Sequence, residues 1–252
     1  MIHPLRLVAA LSILIFSAAS ATAEGVVVTV PPLHSLVGQL LHGVAEPELL
    51  YRSPDQLGTP LAPSARRRVE DADMIVRVDR TFERSLHQAL PTTPGDHLRM
   101  LTLADTVPRL NAADPVLLDR STGVADSRLW LDPRLAKAAV ARLGPNLVRA
   151  YPEHTERILD NETALKARLA ELETEMREAL ETLPGVPLHV PQSDVLYLAW
   201  RFNLNRTHCP ETARAAGGYD LPPGRDLYFA LMQRIVEALK RCQRDPASVP
   251  MN

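Results

Sequence analysis

The side chains in this sequence that could do chemistry are few and scattered. Beyond residue 23 the histidines are His34, His42, His87, His97, His154, His189 and His208. No two of them show the close spacing of metal ligands on one helix or turn. Taken singly, each reads as a surface or core residue. His42 falls near a predicted helix C-terminus, where a partial cation is favoured in any case. His208 beside Cys209 is the one pair of adjacent soft ligands, and oxidation of Cys209 would remove it. The two cysteines, Cys209 and Cys242, read as a disulfide closing a loop of about 33 residues; two separate buried thiols are the alternative. There is no Gly-x-Ser-x-Gly elbow, no Gly-rich phosphate loop and no His-Glu-x-x-His, and neither cysteine lies in a nucleophile motif. The expectation is therefore a binding protein and not an enzyme.

The N-terminus sets the expected compartment. Arg6 precedes the apolar run "LVAALSILIF", and a small-residue tail ends in Ala21-Thr22-Ala23. That order is a secretory signal peptide, residues 1–23. The apolar run is about half the ~20 residues a membrane span needs, so a retained anchor is the weaker alternative. Export places the chain in the periplasm, where a disulfide persists. The 28 basic and 30 acidic residues give a formal charge of −2. So weak a bias does not suit nucleic acid or an anionic membrane surface. With 46% hydrophobic but only 4% aromatic residues, the core must be built mainly from Leu, Val and Ala.

The elements that would hold a site follow from periodicity. "GVVVTV" (25–30) is a short β-branched run and reads as a buried strand. Leu33, Leu36, Val37, Leu40, Leu41 and Val44 fall at helical spacing, with Gly43 as a stop. "PELLY" is a second strand candidate, and residues 52–64, with three prolines, form a loop. Ser64 is placed to cap a helix that leads into the strand "DMIVRV" (73–78). This alternation predicts an α/β lobe with a largely parallel sheet. A helix is expected over 81–90, less regular chain over 91–125, and a strand at "SRLWL". Pro133 then opens another helix. Ile158, Leu165, Leu169, Leu172, Met176 and Leu180 form one stripe of a long helix over 153–182, roughly 45 Å if continuous. "PGVPLHVP" opens a second α/β unit, with a helix over 193–204, a possible strand at "RTHC" and a last helix within 222–242. The expected organisation is a signal peptide (1–23), an N-terminal lobe (24–152), a connecting spine helix (153–183) and a shortened C-terminal lobe (184–252).

Four stretches together resemble the substrate-binding proteins of zinc and manganese ABC transporters. "VVVTVPPLHSLVGQLLHGVAEPELL" is similar to that family's opening strand, helix and strand. "APSARRRVEDADMIVRV" resembles the unit after its first ligand loop. "SRLWLDPRLAKAAV" resembles its His-Leu-Trp-Leu-Asp-Pro motif, and "VPQSDVLYLAWRFNL" the opening of its second lobe. The resemblance spans nearly the whole chain beyond the signal peptide. It implies two α/β lobes joined by a rigid helix, with a ligand cleft between them. It also implies zinc or manganese as the transported ligand, an ABC permease as partner, and a monomer.

The metal-ligand positions depart from the pattern. The first His position falls at Asp55, the second at Arg128 and the third at Gln192. The segment of the fourth, acidic ligand would lie past the present end at Asn252. Arg cannot donate a lone pair, and Gln is a poor zinc ligand. A guanidinium ~4 Å from a dication would cost roughly 8 kcal/mol at an effective dielectric of 20. The expected site is therefore degenerate, with His34, His189 and Asp194 as secondary cleft candidates. Arg128 is expected to pair with Asp55 or Asp194, or to receive an anion. Beside a transport component stands the alternative of an accessory protein on the same body, or one that binds a non-metal ligand.

Overall fold

The computed structural model describes residues 25–90, 99–106, 127–181, 196–202, 204, 212 and 215–244. Four short strands form one parallel sheet: β1 (Val26–Val28), β2 (Glu48–Leu49), β3 (Met74–Arg77) and β4 (Met100–Thr102), in the order β2-β1-β3-β4. The register sets Val27 beside both Glu48 and Ile75, and Val76 beside Leu101. Side chains alternate across the sheet, as the period of two requires. Val26, Val28, Met74 and Val76 enter the main core, while Val27 and Ile75 enter a smaller cluster on the other face. With both faces covered, β-branched runs without polar alternation are what the sequence should show, and does.

Helix α1 (Pro31–Leu40) starts two residues earlier than the apolar spacing predicts. Both prolines sit in its first turn, where a missing N–H leaves no hydrogen bond unmade. Gly43 ends the segment with φ +76, the left-handed region that glycine enters freely. Helix α2 (Pro63–Asp71) begins at Pro63, so Ser64 lies inside it and is not its cap; Ala62 holds that position without a side-chain bond. Helix α3 (Arg84–Ala89) follows β3. The irregular stretch expected over 91–125 contains β4, which is too short to show alternation.

The "SRLWL" strand is not formed. Leu129–Leu131 make a buried 3₁₀ turn, and among the described residues no strand pairs with it. Asp132 then caps helix α4 (Pro133–Ala150), its carboxylate accepting from the N–H of Arg134 at 2.9 Å. Helix α5 (Thr155–Glu181) is the expected spine: 27 residues, or roughly 40 Å. Its buried stripe holds the six expected apolar residues plus Glu162, which fills the gap between Ile158 and Leu165. Glu162 is paired with Lys166 one turn on. Beyond α5 the described elements are α6 (Leu196–Arg201), the 215–226 segment and α7 (Leu227–Arg244). The segment "PGVPLHVP" that opens the second unit and the possible strand at "RTHC" lie outside the described residues.

The main core is one continuous cluster running from Val26 on β1 to Cys242 on α7. Helix α7 packs on α1 and α5, and α4 packs along α5. Ser35, fully buried on α1, ties the first lobe to α7: its Oγ donates to the carbonyl of Arg225 (2.6 Å) and accepts from the N–H of Tyr228 (3.0 Å). Among the described residues no helix is long and apolar enough to cross a membrane.

Candidate functional site

The sheet order turns back at β1, whose neighbours are β2 on one side and β3 on the other. In open parallel sheets the crevice outside the carboxyl ends of the strands, at that reversal, is where ligands sit. The residues that emerge there are Thr29 after β1, Tyr51 after β2, and Val78 and Asp79 after β3.

Glu83, with no exposed surface, closes the floor of this crevice. Its Oε1 accepts from the Thr29 hydroxyl and from the N–H of Val78 (2.9 Å), and its Oε2 accepts from the N–H of Asp79 (2.9 Å). Burial pushes its carboxyl up to about 7, although these three donors and the Arg77 guanidinium pull the other way. Arg77 is itself buried; its Nε donates to Thr102 (2.8 Å) and its Nη1 is buried without a hydrogen-bond partner. Asp79 turns inward and accepts from the N–H and hydroxyl of Thr81, at 2.7 and 2.6 Å.

One wall is the 3₁₀ turn Pro54–Leu57, which carries Asp55. Gln56 holds the turn by accepting from the N–H groups of Arg52 (2.6 Å) and Ser53 (3.2 Å). Tyr51 and Ser85 share a hydrogen bond of 2.9 Å beneath it. Asp55 is exposed. A second turn is the one that Arg128 opens. Arg128 is half-buried there, and Trp130 two residues on is 2% exposed. Trp130 meets Phe82 edge-on at 5.8 Å, donates from Nε1 to the carbonyl of Ala216 (2.9 Å), and accepts the Tyr228 hydroxyl on its own carbonyl (2.8 Å). Asp132, fully buried, receives Arg201 of α6 through two bonds, Nε to Oδ1 at 2.8 Å and Nη2 to Oδ2 at 2.6 Å. The second lobe is thus tied directly to the turn beside Arg128.

The second lobe also supplies a residue that the sequence reading passed over. Tyr219 packs against the cluster containing Tyr51 and Leu86, as does Leu57 from the Asp55 turn. Its hydroxyl is buried and has no hydrogen-bond partner. Burial raises the phenol well above its usual range; Glu83 and Tyr51 add to the rise, and Arg128 opposes it. The Gly217-Gly218 pair delivers the ring. A Cβ at Gly217 would lie 2.6 Å from it, and Gly218 takes φ +67. That dipeptide before a lone aromatic is the signal that could have marked Tyr219. For Glu83, the signal was an acidic residue close behind a buried strand.

Of the sequence candidates, Asp55 lies on the exposed turn Pro54–Leu57, and Arg128, half-buried, opens the turn Leu129–Leu131. His34 lies on α1, its Nε2 within 2.9 Å of the Pro47 carbonyl and its Nδ1 buried without a partner. Burial holds its pKa below the usual value, as a packed neutral imidazole requires. Gln192, His189, Asp194 and Cys209 lie outside the described residues; Cys242 is buried on α7. Among the described residues no three His, Cys, Asp or Glu side chains converge to hold a metal ion. Asp55 offers one exposed carboxylate, and Arg128 is a permanent cation with no lone pair to give.

Comparison with known proteins agrees with this architecture. The high-affinity zinc uptake system protein ZnuA of Brucella abortus (strain 2308) is 24% identical over 255 residues, covering 86% of this chain and 73% of the relative. The metal-dependent lipoprotein YcdH from Bacillus subtilis superposes with TM-score 0.55 at 22% identity, over 72% of this chain and 65% of that one. A mutant of the laminin-binding adhesin Lmb from Streptococcus agalactiae gives TM-score 0.63 at 16% identity, over 87% and 99%. An FpvC mutant from Pseudomonas aeruginosa gives 0.67 at 15%, over the same shares. The fold is that of these two-lobed α/β proteins, with the crevice between the lobes. Residues 26–241 match the family described as ZnuA, zinc-uptake complex component A, periplasmic, and the chain belongs to that family.

Proposed function

We propose that this protein is the periplasmic solute-binding component of a zinc-type metal ABC transport system, with a substituted ligand set. The observation that carries the reading is the family match over residues 26–241, with the second lobe tied to the first at the Trp130 turn. Its role is capture and delivery, not catalysis. The partners are a permease and its ATPase; the protein works as a monomer and reaches the periplasm by the signal peptide over 1–23. Zinc or manganese is the cargo. The lobes are residues 24–152 and 184–252, joined by the helix over 153–183. The Cys209–Cys242 disulfide braces the second lobe, in keeping with the burial of Cys242 and the lack of a free cysteine among the described residues.

The substitutions favour a second reading, an accessory protein on the same body. Asp55 and Arg128 stand where ligands would, and Gln192 is a third replacement. The two readings separate by calorimetric titration of zinc, then manganese, into chelator-stripped protein, together with an uptake assay in cells that carry the cognate permease. Uptake that depends on this chain supports transport. Unchanged uptake on its deletion, with no metal bound at micromolar levels, overturns it.

A further inference from the structure

The formal charge of −2 conceals an uneven surface. Helix α4 carries Arg134, Lys137, Arg142 and Arg149 and no acidic residue. At about 100° per residue, all four fall on the half turned away from the buried side of the helix. Among the described residues, Arg134 bonds Glu173 of α5, Arg149 donates to Asn146, and Lys137 and Arg142 form no ion pair. Helix α5 presents the opposite sign. Glu156, Asp160, Glu171 and Glu178 are exposed at steps of four, eleven and seven, which is one stripe. No Lys or Arg shares that stripe, and its four carboxylates form no ion pair among the described residues.

The two helices lie side by side and antiparallel. Arg134 meets Glu173 at one end, Gly144 lies against Glu162 in the middle, and the turn Pro152–His154 joins them at the other. Glu162 and Glu173, the carboxylates on the flank toward α4, are already answered by Lys166 and Arg177. A basic row and an acidic row thus run next to each other and leave most of their charge unneutralised. Leu159, 47% exposed, stands between the rows, in line with Lys166 and Arg177 on the α4 side of α5.

A face with both signs in adjacent rows suits no uniformly charged partner, since one row is always repelled. Its complement is the same face turned over. A two-fold axis along the seam lays α4 of each copy over α5 of the other. The antiparallel register then sets Arg149 of one copy near Glu156 and Asp160 of the other, and Arg134 near Glu171. The same axis brings the two Leu159 side chains together, where they leave water. The face measures roughly 27 Å by 20 Å, the length of the 18-residue α4 by two helix widths, or about 500 Å² a copy. Stable pairs bury about 800 Å² each, so this contact is weak and governed by charge.

We propose that a second copy of this chain docks on the α4–α5 face in this two-fold arrangement. The pairing does not depend on which solute the crevice takes. By mass action the single chain is the form present at low concentration, and the pair forms where the protein is concentrated.

The test is sedimentation velocity on purified protein over a concentration series. Wild type should shift from single chain to pair as concentration rises at about 0.05 M salt, and return to single chain at about 0.5 M. Arg142→Glu with Arg149→Glu should weaken the pair at least tenfold, and so should Asp160→Lys with Glu171→Lys. Mixing these two double variants should restore association, because each then offers the other the missing sign; so should all four changes in one chain. That rescue separates docking from damage to the fold, with melting curves as a further control. Leu159→Cys should yield a disulfide-linked pair under mild oxidant at low salt and not at high salt. Wild type that stays single at every concentration, association indifferent to both double variants, or a mixture that fails to associate would each overturn the proposal. Binding to phosphatidylglycerol vesicles through α4 in place of self-association would overturn it in favour of a lipid surface.

Discussion

Glu83 is a carboxyl whose charge is set by two opposed effects, of which desolvation is the larger. Desolvation disfavours the ion, and three donors with Arg77 favour it. Its folded value, pushed up to about 7, exceeds the ordinary 4.5. The folded state therefore resists ionisation. The contribution is fully favourable below about pH 4.5 and is lost as pH rises toward 7, by an amount on the order of 3 kcal/mol. Melting temperatures of wild type and Glu83→Gln, taken from pH 5 to 8, should converge as the pH rises and then favour the variant. Parallel curves would contradict the assignment. Asp132 lies at the opposite limit: it is fully buried, but answered by a bidentate Arg201 and by the N–H of Arg134. Asp132→Ala strands the guanidinium, which is 14% exposed, and uncaps α4. The loss should be about 3–5 kcal/mol in urea unfolding. A change under 1 kcal/mol would mean that Arg201 finds water instead.

At the scale of elements, glycine in a helix ordinarily destabilises by about 1 kcal/mol relative to alanine. Gly144 on α4 should reverse that sign. A Cβ there would fall 1.8 Å from Glu162 Oε2 and 2.7 Å from its Cδ. Glu162 is only 8% exposed and is held by Lys166, so turning aside breaks that pair. Gly144→Ala should lower the melting temperature by a few degrees, and adding Glu162→Ala should restore part of it. A stabilised single variant would sink the argument. This contact was not legible in sequence, because the gap at 162 in an otherwise regular stripe reads as a solvated face. The stripe itself was legible, as were β1, α1, β2, α2 and β3, because burial on one helix face or both sheet faces leaves a direct mark. "LWL" was misread for a related reason: three consecutive apolar residues mark full burial and carry no period that separates a strand from a turn. β4, only Met100-Leu101-Thr102, was too short to register. In the candidate site, the resemblance pointed to Asp55 and Arg128, each on a turn. Tyr219 could not, since its role comes from a contact between the lobes and a hydroxyl left unpaired.

For the whole molecule, the proposed disulfide and the shared core act on the same region. A loop of about 33 residues closed by Cys209–Cys242 is worth roughly 3–4 kcal/mol in the chain-entropy model. Cys209→Ser should therefore lower the melting temperature by several degrees, and adding reductant to wild type should reproduce the shift. Identical curves with and without reductant would exclude the bridge. The core that α7 completes runs unbroken back to β1, with Ser35 bonded to residues 190 and more positions downstream. This separation bears on how the molecule is made. Translation delivers the chain from its N-terminus, so the apolar face of α1 emerges long before the helix that covers it. Contacts of such long range form slowly, and the exposed intermediate is prone to aggregation. A nascent chain that stops short of α7 would therefore leave its first helix without a cover.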